Sequence, residues 1–100
     1  MVNKYSVRWS RQSKIDLKQI FDYILATSKS KERAIYVITG IKQRANETTL
    51  FPAKHAKEPT LRNMRYAVKW SYKILFTIDE KHVNIVRIFH TAQNPEKLIQ

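Results

Sequence analysis

The sequence predicts an α+β domain in which an N-terminal strand and an antiparallel helical hairpin pack on a mostly antiparallel four-stranded sheet, in the order β-α-α-β-β-β. Three observations carry this prediction. Apolar residues alternate over residues 3–9, recur at helical spacing over about 11–47, and alternate again from 64 to 90. The segments between these runs are short and polar. The chain has 100 residues and 43% hydrophobic content, which suits one globular domain spanning 1–100.

The first strand places Tyr5, Val7 and Trp9 on one side and Lys4, Ser6 and Arg8 on the other. Ser10 then offers a hydroxyl suited to a helix N-cap. From Arg11 to about Thr27, Leu17, Ile20, Phe21 and Ile24 form an apolar stripe, with Asp16, Lys18, Gln19 and Asp22 on the polar side. Residues 27–31 (TSKSK) break the pattern and supply Ser28 or Ser30 as the next cap. Glu32 falls in the following first turn, where the helix dipole favours an acid. Ala34, Ile38, Ile41 and Ala45 continue a helical stripe to about Glu47. Gly40 interrupts it at a cost of about 1 kcal/mol against Ala, and reads as a close-packing point against the first helix.

Residues 51–62 hold two Pro and four basic or His residues and read as a loop. Three strands follow. In the first, Met64, Tyr66, Val68 and Trp70 alternate with Arg65, Ala67 and Lys69. In the second, Tyr72, Ile74, Phe76 and Ile78 alternate with Lys73, Leu75 and Thr77. In the third, Val83, Ile85, Arg87 and Phe89 alternate with Asn84, Val86, Ile88 and His90. Trp70-Ser71 and residues 79–82 are the expected turns, and the first strand is expected to join the sheet beside a C-terminal strand. The far sheet face is expected to stay partly open.

Nineteen Lys and Arg against eight Asp and Glu give a formal net charge of +11. The excess is even: ten basic and four acidic side chains in residues 1–50, nine and four in 51–100. Such a surface attracts polyanions and acidic proteins. The absence of cysteine excludes disulfides and thiolate metal sites. The three His are not spaced as ligands, so no metal and no cofactor are expected. No apolar run approaches the ~20 residues of a membrane span, and residues 1–14 are charged where a signal peptide is apolar; a cytoplasmic protein without a membrane partner is expected.

The sharpest local feature is a set of basic residues expected around the open sheet face. Lys54, Lys57, Arg62, Arg65, Lys69 and Lys73 are the candidate residues for binding nucleic acid or another target, since Arg offers a two-pronged fork and Lys a point charge to phosphate. Arg65, Arg87 and His90 form the candidate catalytic set for RNA cleavage, with cations stabilising a phosphorane-like transition state and His acting as acid or base. His55 and His82 fall in loop contexts and read as bystanders.

The run V-x-W-S (Val7, Trp9, Ser10) followed by D-L-x-x-I-x-x-Y-I (Asp16 to Ile24), the segments M-R-Y-A-V (64–68) and Y-K-I-L-F (72–76), and the closing I-V-R-I-F-H-T-A-Q-N-P-E-K-L (85–98) together resemble the RelE/ParE superfamily of small basic toxins. The resemblance spans nearly the whole chain. It implies a sheet with an N-terminal helical hairpin, and as partner a cognate acidic antitoxin whose flexible segment wraps the toxin. It leaves two targets open. ParE-like members act on DNA gyrase, and RelE-like members cut mRNA on the ribosome. Many relatives place an Arg soon after the position of His90; here Thr91, Ala92, Gln93 and Asn94 follow, with no nearby Tyr. That departure and the N-terminal motif favour the gyrase branch. A basic nucleic-acid binding module without toxicity is the third possibility.

Overall fold

A computed structural model describes residues 4–92 of the chain. The predicted class holds. Strand β1 (Ser6–Trp9) leads into helices α1 (Arg11–Ser28) and α2 (Lys31–Glu47), and strands β2 (Ala56–Lys57), β3 (Arg65–Lys69), β4 (Tyr72–Ile78) and β5 (His82–His90) follow. Among the described residues the sheet has five strands in the order β1-β5-β4-β3-β2. β1 runs parallel to β5, and the other pairs are antiparallel. The extra strand is β2, which forms inside the segment expected to be loop. A short 3-10 turn over Pro52–Lys54 redirects the chain so that Ala56 and Lys57 pair with Tyr66 and Arg65. Two residues are too few for alternation to register in sequence.

Both helix starts follow from their caps. The hydroxyl of Ser10 accepts from the Ser13 amide, and that of Ser30 accepts from the Arg33 amide. Ser10 also donates from Oγ to the Val86 carbonyl at 3.0 Å, which ties the start of α1 to β5. The helices cover one sheet face. Leu17, Ile41 and Ala45 pack there against Ala67, Ile74, Phe76, Val83, Ile85 and Ile88. Full burial of each large member stabilises the fold by roughly 1.5–3 kcal/mol.

Two strands differ from the alternation expected of them. In β3 the inward residue is Ala67, which pairs with Ile74, while Val68 is exposed. Arg65 and Lys69 do share a strand face, but it is the helix-covered face and not the open one. In β5 a bulge lies opposite Leu75 and Phe76: Phe76 pairs with Ile85 and Leu75 with Arg87. Val86 is thus an extra residue, and Ile88 replaces Arg87 and Phe89 on the core side. The second sheet face is not bare either, since Leu75 and Phe89 are buried there. Gly40 packs against Trp70 of the β3–β4 turn, not against the first helix. A Cβ at position 40 would overlap the indole carbons Cη2 and Cζ3.

Candidate functional site

β1 ends at Trp9, so among the described residues no strand lies beside the C-terminal half of β5 on that edge. α1 lies there instead, and between them opens a cleft of about 510 Å³. Its walls include Asp16, Gln19 and Tyr23 from α1, Tyr72 from β4, and Arg87 and His90 from β5. Asp16 is 4% exposed. It accepts from Arg87 Nε at 2.8 Å and Nη2 at 3.2 Å, from the Ile88 amide at 2.9 Å, and from Gln12 Nε2 at 3.2 Å. One carboxylate therefore fixes the arginine fork and occupies the β5 amide that a neighbouring strand would have taken.

His90 presents its ring edge-on to Tyr72 at 5.8 Å, and its Nδ1 accepts from the Ala92 amide at 3.2 Å. Burial, followed by the nearby Tyr23 phenol, raises the Tyr72 pKa above its ordinary value of 10.0. Tyr72 is therefore a neutral hydroxyl at physiological pH and not a ready base.

Arg65 is not part of this cleft. Its Nη1 donates to the His55 carbonyl at 2.8 Å, and it joins Lys57 and Arg62 around a second depression formed by the loop before β3. Lys57 and Arg65 stand directly opposite each other across β2 and β3. Like charges so paired are unfavourable, and an anion held between them would relieve the repulsion. Lys54, on the 3-10 turn, lies over the Phe51 ring at 5.1 Å. Lys73 crosses the Tyr66 ring and closes a 2.7 Å ion pair with Glu58, whose side chain is almost fully buried. Burial alone raises the Glu58 pKa, but the hydrogen bonds from Lys73 and Thr60 outweigh it and hold the carboxyl below its usual value. Lys69 sits 4.6 Å over Trp70.

The structure thus splits the expected constellation. Arg87 and His90 share one cleft. Arg65 shares another with Lys57 and Arg62, and Lys73 is committed to Glu58. His55, expected as a bystander in a loop, has its ring 5.6 Å from that of buried Phe76 in a T-shaped contact. Sequence reasoning missed Asp16, Tyr23 and Tyr72 as walls of the cleft between α1 and β5. It had no signal for the Asp16–Arg87 pair, because no local spacing links residues that far apart. Among the described residues no group of three or more His, Asp or Glu is placed to hold a metal ion, and no helix is long and apolar enough to cross a membrane.

Residues 7–95 match the family model described as the ParE toxin of the type II toxin–antitoxin system parDE. No curated relative matches in sequence. Among solved structures, a chain of the chromosomal ParDE toxin–antitoxin system from P. aeruginosa superposes with a TM-score of 0.76 at 21% identity, covering 89% of this chain and 98% of that one. A chain of the RelBE2 toxin–antitoxin complex from Mycobacterium tuberculosis superposes with a TM-score of 0.64 at 20% identity, covering 93% and 98%. At these identities the two likenesses speak for the fold.

Proposed function

This chain belongs to the ParE toxin family of type II toxin–antitoxin systems, and on that premise we propose that it arrests growth as a protein ligand of DNA gyrase and is neutralised by a cognate acidic antitoxin. The observation that carries the gyrase reading is the Asp16–Arg87 pair. A phosphoryl-stabilising arginine must offer its fork to the substrate. Here the fork already holds a buried carboxylate through two contacts. With Arg65 in a separate depression, an RNA phosphate has no site where both arginines and His90 converge. The antitoxin partner is supported by the +11 charge, which favours an acidic ligand, and by the fold shared with chains of two toxin–antitoxin systems.

The experiment is a supercoiling assay with purified gyrase, relaxed plasmid and this chain. Dose-dependent loss of supercoiling is expected, and unaffected supercoiling contradicts the reading. One observation favours the alternative of a ribosome-dependent mRNA endoribonuclease: Lys57, Arg62 and Arg65 gather where a phosphate backbone could lie. That reading requires transcripts to be cut in cells expressing the chain.

A further inference from the structure

Trp70 holds a backbone φ of 52°, a left-handed conformation that bulky L-residues rarely adopt. It does so at the first position of the two-residue β3–β4 turn, where Gly or Asn is the usual occupant. The only Gly of the chain, Gly40, interrupts α2 at the point where the indole arrives, and any side chain there would collide with it. Two locally unfavourable choices on separate elements therefore serve one outcome, the seating of this indole. Yet the ring is not consumed by the core: Trp70 remains 47% exposed. Tyr36, 67% exposed, leans on it at 5.5 Å, and the Lys69 ammonium lies over it. Strain that survives while leaving a large aromatic at the surface points to use of that surface.

A groove of about 440 Å³ runs from Trp70 between the helical hairpin and the β3–β4 turn. It reaches Tyr72 and His90, which also wall the cleft between α1 and β5, where Tyr23 is 67% exposed. Arg33 stands at its side, and among the described residues no carboxylate lines it. In the adjoining cleft the one carboxylate among the described residues is Asp16, which pairs with Arg87.

We propose that this groove is the docking surface for an acidic segment of the antitoxin, which lays a large apolar side chain against Trp70 and Tyr36 and sets carboxylates against Lys69 and Arg33. The proposal rests on the antitoxin reading above and adds where the partner sits. Exposed Trp and Tyr flanked by cations are the groups that dominate protein–protein affinity. The groove charge selects an acidic partner. A peptide fits better than a nucleic acid, because a base needs an aromatic face to stack on and this indole already has Lys69 and Tyr36 against it.

The probe is the protein whose co-expression restores growth to cells making this chain, titrated calorimetrically against the full-length chain. Trp70→Gly removes the indole but suits the left-handed turn, so the fold persists, as circular dichroism and Tm would show. Trp70→Gly, Tyr36→Ala and Lys69→Glu are each expected to weaken binding about tenfold or more. Lys81→Glu, in the distant β4–β5 turn, is expected to stay within about twofold. If Trp70→Gly does not fold, the two surface substitutions decide alone. Unchanged affinity in the three variants, with wild type still binding, overturns the docking surface and leaves the antitoxin reading intact. Loss of affinity for a single-stranded dT15 oligonucleotide, with unchanged affinity for the protein, overturns it in favour of a nucleic-acid platform. If no co-expressed protein restores growth, the antitoxin reading fails and this proposal fails with it.

Discussion

Asp16 of α1 and Arg87 of β5 form a two-pronged ion pair, with contacts of 2.8 and 3.2 Å between residues 71 positions apart. The same carboxylate accepts the Ile88 amide, in the half of β5 that lies beyond its pairing with β1. The pair thereby ties α1 to β5. Asp16→Ala should deprive the mostly buried Arg87 of this carboxylate, at a cost of about 3–5 kcal/mol. Replacing both, as Asp16→Leu with Arg87→Met, should lose much less. Urea denaturation of the two variants checks this, and equal losses would contradict it.

The contact between Gly40 and Trp70 makes a second prediction. Gly40→Ala gains helix propensity of roughly 1 kcal/mol. The added methyl meets the indole, however, and overpacking costs about 1–3 kcal/mol. A net loss of stability, or at best no gain, is expected. In the Trp70→Gly background the obstacle is gone, and the same Gly40→Ala change should stabilise. Thermal unfolding of the four proteins in this cycle measures the sign reversal.

Much of the fold was legible in the sequence. Ser10 announced the first helix start and the choice of Ser28 or Ser30 the second, which falls to Ser30, and the change in apolar period located the helices and the last three strands to within a residue or two. The limits have physical causes. Alternation in β3 misled because Val68 and Trp70 are apolar yet exposed, while small Ala67 carries the core contact. Bulges leave no mark in the hydrophobic pattern, so the one at Val86 reversed the expected facing of Arg87 and Ile88. β2 is too short to show a period. The site was half legible: Arg87, His90 and the cluster of Lys57, Arg62 and Arg65 were named, but their separation depends on pairings between distant segments. The acidic partner of Arg87 was hidden among ordinary helix-surface charges.

His55 gives a pH dependence. Burial first, then the charges of Arg44 and Arg65, lower its pKa from the ordinary 6.5. The unfolded chain thus takes up a proton at about 6.5, and the folded chain only at lower pH. Stability should therefore fall as pH drops through 6.5 and level off below the folded value. His55→Phe, which keeps a ring against Phe76, should flatten the stability profile in that window. Denaturation midpoints between pH 7.5 and 5 test this, and an unchanged slope would count against it.

If growth arrest needs no RNA chemistry, the candidate nuclease residues are dispensable for it. His90→Ala and Arg65→Ala should arrest growth to within about twofold of wild type, because neither removes the buried support of the fold. Colony counts after induction give the answer. A loss of several orders of magnitude in either variant, at equal protein level, would point back to catalysis.

The most direct test reads both targets in the same cells. After brief induction, plasmid topology and primer extension across abundant transcripts are measured from one culture. The gyrase account predicts relaxed plasmid and full-length transcripts. Cut transcripts with normally supercoiled plasmid would contradict it.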